Sequence, residues 1–182
     1  MQRQTAKMFL KLLVPALAVL AASGAAAAPL TITKAAATSS DPIDTLTPPK
    51  AIPGAVITYT LTVKNPNLAT TAKNIVITDS ITTATPANAE YYVGLNDANP
   101  FVYTDGLLGL LGATGLTYTW GGANSASDSV DFSCDGGSTW TCTVHPGADG
   151  YDPAVTNIRI TFNNSFPGST GFTFAIRARV KQ

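Results

Sequence analysis

Between Pro53-Gly54 and Asn65-Pro66-Asn67 the chain alternates strictly: Ile57, Tyr59, Leu61 and Val63 share one parity, and Thr58, Thr60, Thr62 and Lys64 the other. A period of two, with aromatic and β-branched residues on the apolar side, predicts a strand with one face on a core and one in water. The same alternation closes the chain. In Thr156–Asn163 the apolar set is Ile158, Ile160 and Phe162, and in Phe172–Lys181 it is Phe172, Phe174, Ile176, Ala178 and Val180. A turn-rich connection, Asn163–Gly168, joins them. The last strand then points Thr173, Arg177, Arg179 and Lys181 outward, a pattern that suits either a protected edge strand or a solvated interior one.

Weaker strand signals run through Leu30–Lys34, Asn74–Asp79, Tyr91–Val93, Leu116–Trp120 and Ser129–Ser133. Pro48, Pro49 and Pro53 exclude a helix around the Ala-, Thr- and Ser-rich stretch from Ala35 to Lys50. No segment keeps a 3.6-residue apolar period over helical length. Short strands separated by Gly, Pro and Asn predict an all-β fold, an antiparallel β-sandwich. Leu107, Leu108, Leu110 and Leu111 stand apart in a Leu/Gly segment. Because leucines are usually buried, that segment is expected to plug one end of the sandwich; exposed, it would be an interaction patch.

Composition changes the picture at the N-terminus. Arg3, Lys7 and Lys11 precede an apolar run from Leu12 to Ala22 and the small residues Ser23–Ala28, the pattern of a secretory signal peptide over residues 1–27, cut after Ala26 or Ala27. The apolar run falls short of the roughly 20 residues that span a bilayer, so a transmembrane anchor is not expected. No cysteine near the cut offers a lipid anchor. Residues 28–182 then form a single domain, with an N-terminal strand and a Pro-rich linker over 28–53. Eleven basic residues less those three leave eight against eleven acids, a net charge of −3. That balance excludes a nucleic-acid footprint and, with the signal, places the protein in the periplasm, at the cell surface or outside the cell.

In an exported chain the two cysteines, Cys134 and Cys142, are expected to pair as a structural disulfide across a tight loop. Catalytic chemistry finds few nominees. His145 is the sole histidine and Glu90 the sole glutamate, and no Gly-x-Ser-x-Gly elbow is present. Asp128, Asp131 and Asp135 lie close together but lack the spacing of a calcium loop. No catalytic residue, metal or cofactor is therefore assigned.

Two resemblances follow from the motifs. Ser133-x-Asp135-x-Gly137-x-Thr139-Trp140 resembles the Asp-box hairpin of sialidases and other secreted β-proteins, which implies a turn capped by the carboxylate with the Trp packed beneath, and no activity. More broadly, Pro53-Gly54-x-Val56 through Asn65 and Ala72-x-Asn74 through Thr78-Asp79 resemble the bacterial and archaeal cell-surface repeat known as domain of unknown function eleven. Val155–Arg159 and Pro167-Gly168 with Phe172–Val180 resemble its closing strands. Asn65-Pro66-Asn67 replaces the family's Asn-x-Gly turn, Asp79 lacks its following proline, and the Leu/Gly segment and cysteine pair are additions. The resemblance implies an immunoglobulin-like, non-catalytic envelope domain, in a family whose members are usually tandem repeats of large surface proteins.

The expected function is accordingly a structural and interaction protein of the cell envelope, partnered by itself or by a larger surface protein. A carbohydrate-binding module is the alternative, needing an exposed row among Trp120, Trp140, Tyr91, Tyr92 and Tyr103; a hydrolase ranks third. The Leu30–Lys34 strand is expected to pair with its own sheet, although a neighbour's edge offers equivalent hydrogen bonds.

Overall fold

The computed structural model describes residues 27–43, 48–81, 88–106 and 112–182. In chain order its strands are β1 (Thr31–Ser40), β2 (Val56–Asn65), β3 (Val76–Ser80), β4 (Ala89–Tyr92), β5 (Val102–Asp105), β6 (Val130–Ser133), β7 (Tyr151–Asp152), β8 (Asn157–Thr161) and β9 (Thr170–Val180). All ladders between them are antiparallel. A six-stranded sheet in the order β1-β2-β9-β4-β7, with β5 also on β9, packs against a three-stranded sheet in the order β3-β8-β6. This is the antiparallel β-sandwich that the alternating pattern predicts.

The predicted faces are the observed ones. Ile57, Tyr59, Leu61 and Val63 are buried, and the threonines between them are half-exposed. The inner residues of β8 and β9 complete the core, where Phe162 and Phe172 lie 5.0 Å apart and Phe101 and Phe174 5.2 Å apart between ring centres. Strand β2 stops at Asn65 for a polar reason. Its buried amide donates to the carbonyls of Thr70 and Phe166, and its oxygen accepts from Asn67. A hydrophobic residue there would leave those carbonyls unpaired in the interior.

Strand β9 is interior, between β2 on one side and β4 and β5 on the other, so its outward arginines belong to a solvated central strand. Arg179 bonds Glu90 at 2.7 Å and also pairs with Asp149. Leu116–Trp120 forms no strand of the described sheets; an isolated bridge joins Thr117 to Asn163, and the Leu116 carbonyl accepts the Tyr103 hydroxyl from β5. Its alternation serves packing: Leu116 is buried and Tyr118 lies on the core, while the backbone ladder is not continued. Strands β5 and β7 carry no sequence signal: β7 has only two residues, and in β5 neither parity is apolar, since Val102 shares its side with Thr104 and Tyr103 with Asp105.

The N-terminal strand is longer than expected. It runs on through Ala35–Ser40, so the proline-bearing connection is confined to residues 41–55. It pairs at home with β2, from Thr31 opposite Lys64 to Ser40 opposite Val56. Yet β1 buries no side chain, and Ile32 is 54% exposed. The Ala35–Ser40 half has no apolar alternation and holds three alanines, which are depleted in strands, and it forms one because the backbone ladder, not side-chain burial, holds it.

Candidate functional site

The hairpin between β6 and residue 142 is built around one carboxylate. Asp135 Oδ1 accepts the Ser133 hydroxyl at 2.7 Å and the Thr139 amide at 2.9 Å, and Oδ2 accepts the Thr139 hydroxyl at 2.8 Å. The Ser133 oxygen in turn accepts the Gly137 amide at 2.8 Å. Gly136 and Gly137 take positive φ, 74° and 88°, which the tight turn requires and a Cβ would strain. Trp140 lies close to Gly137, with the Arg159 guanidinium 4.6 Å from its ring centre. The carboxylate thus caps the turn, and Trp140 is half-buried beside it. Only one side of the hairpin is a strand, however: the return segment meets β6 through the Cys142 amide and Phe132 carbonyl at 3.3 Å. Cys134 and Cys142 are bonded, with Cα atoms 5.6 Å apart.

Chiefly the Thr139 amide, then the Ser133 and Thr139 hydroxyls, hold the Asp135 carboxyl at about 2, below the usual aspartate range. A depressed native value means the hairpin gains from the carboxylate above about pH 4 and loses that gain as pH falls through about 2. The Thr139 amide and Trp140 indole resonances are expected to move together in that window, and to stay flat there in Asp135→Asn. Spectra unchanged down to about pH 1 would remove Asp135 from this role. The disulfide adds a second constraint. Cys142→Ser is expected to lower unfolding free energy by about 2–3 kcal/mol while keeping the fold, read by thermal melts, and native exported protein should show no free thiol in mass spectrometry.

Beside this hairpin lies a cavity of about 390 Å³, lined among others by Asn124, Asp131, Phe132, Trp140, Cys142 and Thr143. Asp131 and Arg159 are cross-strand neighbours joined at 2.9 Å, so two of the lining side chains, Asp131 and Trp140, are both in contact with the Arg159 guanidinium. The other aromatic candidates do not form a row with Trp140. Tyr91 is buried, Tyr103 and Trp120 pack on the core, and an Arg177 guanidinium lies 4.0 Å from the ring centre of Tyr92.

The three neighbouring aspartates work separately: Asp128 accepts the Gly121 and Val130 amides, Asp131 pairs with Arg159, and Asp135 holds its turn. Among the described residues no three acidic, histidine or cysteine side chains gather into a metal-binding group. His145 is exposed and takes part through its amide, which donates to Asp152. Leu107, Leu108, Leu110 and Leu111 lie outside the described residues. The base of their segment is closed by Asp105, which accepts the Thr114 amide and hydroxyl, each at 2.6 Å, and the Gly115 amide at 2.9 Å. Desolvation pushes this carboxyl up, and those hydrogen bonds outweigh it, leaving it below its ordinary value.

A second polar cluster escapes the sequence reading. Asp79, 6% exposed on β3, accepts Lys34 Nζ from β1 at 2.6 Å and the Tyr91 hydroxyl at 2.9 Å. The same ammonium lies 4.4 Å from the Tyr59 ring centre. Burial first, and the Asp79 charge second, push the Tyr59 and Tyr91 hydroxyls above their ordinary values, so both are neutral at physiological pH. A cue is present: in Leu30–Lys34 the lysine shares the parity of Leu30 and Ile32, the inward parity. A cation on an inward position calls for a buried anion opposite. Compared with family models, with curated proteins and with solved structures, the chain matches none.

Proposed function

We propose that this protein is a non-catalytic domain of the bacterial or archaeal cell envelope, exported through its N-terminal signal and acting by contact with other protein. The observation that carries this reading is β1, a ten-residue strand at the sheet edge with no buried side chain. An edge of that length, carrying one charge and no proline, presents backbone donors and acceptors to another chain instead of repelling it. The polar groups support a scaffold role: Asp135, Asp105 and Asp79 each close a turn or join two strands. The disulfide suits an oxidising compartment. No helix among the described residues is long and apolar enough to cross a membrane. The order of motifs that resembles domain of unknown function eleven supports the same reading, an immunoglobulin-like surface module.

The test is fractionation of cells expressing the full chain, with N-terminal sequencing of the product. A protein beginning at Ala27 or Ala28, in an envelope or extracellular fraction and free of thiols, is the expected result. Unprocessed cytoplasmic chain with two reactive thiols would overturn it. The cavity beside Trp140 favours glycan binding as a second reading, since an aromatic ring flanked by a carboxylate and a guanidinium can stack on and hydrogen-bond a sugar. Saturable oligosaccharide binding in an NMR titration, lost in Trp140→Ala, would transfer the proposal to that class.

A further inference from the structure

We infer that β1 is an exchangeable strand: its seat on β2 also accepts the β1 of a second copy, whose Lys34 then completes the buried Asp79 site. This rests on the protein-contact reading above and names its partner.

Three observations carry it. The first is the mismatch between how β1 is paired and how little it buries. It forms a full antiparallel ladder with β2, yet none of its ten residues enters the core. Opposite residues of such a ladder point to one face, so Ile32, Lys34, Ala36 and Thr38 share the side of Val63, Leu61, Tyr59 and Ile57. The β2 residues are buried by the smaller sheet, whereas Ile32 stays 54% exposed, so β1 overhangs that sheet. A strand held by backbone bonds, the contacts of Lys34 and exposed polar contacts, with no side chain in the core, opens at the low end of a protein's local stabilities.

The second observation is a registration device. When β1 leaves, Asp79 keeps the Tyr91 hydroxyl and loses the ammonium that pairs with it. Any strand that refills the seat is selected for a cation at the position opposite Leu61, which Lys34 supplies in β1. The sequence that meets this demand is β1 itself. A second copy brings one such strand and one such seat, which is the condition for reciprocal exchange between identical chains.

The third observation is reach. Residues 41–55 separate β1 from β2, and at about 3.4 Å per residue they extend to roughly 50 Å, enough to cross to a neighbour. Contacts at the strand's ends include exposed polar ones, Ala28 with Asn67 and Ser39 with Thr58, which water or the same groups of a neighbour can replace.

The experiment mixes two charge-reversed chains. Lys34→Glu alone and Asp79→Lys alone each place like charges together in the home seat. In a 1:1 mixture both exchanged seats are complementary: the charge-reversed strand of one chain meets the charge-reversed seat of the other, and the unaltered Lys34 meets the unaltered Asp79. Size-exclusion chromatography with light scattering should show each variant alone at monomer mass and the mixture at twice that mass. A mixture that stays monomeric, while the Lys34→Glu/Asp79→Lys chain unfolds cooperatively, overturns the inference.

A second measurement leaves the ion pair untouched. Thr33 and Thr62 are opposite in the ladder, so a Thr33→Cys chain oxidised with a Thr62→Cys chain should give a disulfide-linked dimer on a non-reducing gel. Crosslinking confined to the Thr33→Cys/Thr62→Cys chain, with none between chains, overturns exchange. So does a dimer that persists in that locked chain, which would be edge-to-edge pairing along β1. The first failure removes the second copy as partner, the second keeps it but by edge pairing without exchange, and both leave the envelope reading to the fractionation test.

Discussion

Replacing Phe174 by alanine is expected to lower unfolding free energy by about 3–5 kcal/mol, and Leu61→Ala by about 2–5 kcal/mol. These two residues face each other across the β2–β9 ladder, 0% and 2% exposed. Phe174 also meets Phe101, Tyr118 and Phe162, with ring centres 5.2, 5.6 and 6.0 Å away. A cavity there opens between strands locked on both sides, so the surroundings can collapse into it only in part. Thr60, one residue along and half-exposed, is the control, and Thr60→Ala should lose less than about 1 kcal/mol. Urea denaturation separates the cases. Equal losses at Leu61 and Thr60 would mean that the assigned face of β2 is wrong.

The second large effect is an asymmetry within one ion pair. Lys34→Met strands a carboxylate that is 6% exposed and is expected to remove about 3–5 kcal/mol, whereas Asp79→Asn leaves a lysine that can turn to water and should remove only about 1–3 kcal/mol. The structural reason is that the side chain of Lys34 is 30% exposed and that of Asp79 is not free to leave β3. Part of the Lys34→Met loss will appear as release of β1 before global unfolding, so amide exchange along Thr31–Ser40 should be read beside the denaturation curve. The double variant should lose less than the sum of the single ones, because the second change removes the charge that the first left unpaired. Equal single losses would show that Asp79 is solvated in the native protein.

The contrast between β2 and β1 explains how much of this protein is legible in its sequence. Strands β2, β8 and β9 lie half in the core and half in water, so each residue's environment is set by its parity, and parity is written in the sequence. Their faces, the sandwich class, the hairpin at Asp135 and the pairing of Cys134 with Cys142 follow from such local patterns or from the cysteine count. The carboxylate at the turn is satisfied locally, by donors from Ser133 and Thr139, while the distant Thr156 accepts the Gly136 amide and donates to the Ser133 carbonyl. Strand β1 is only partly legible because its Ala35–Ser40 half has no apolar face to display. It is a strand because β2 offers an open edge, and nothing nearer than β2 states that.

What only the tertiary structure decided is which residues meet across the sandwich. The pattern of β9 left its place open, and the neighbours β2, β4 and β5 make it central. Lys34 and Asp79 are 45 residues apart, and their pairing depends on β1 lying beside β2 while β3 crosses on the opposite sheet. Arg159 reaches Trp140 and Asp131 because β6 and β8 are neighbours, which no run of residues announces. Sequence periodicity reports the environment of each strand, one face against another. The identity of the strand that supplies that environment is a property of closure over long loops, settled by how the sheets bury their faces together.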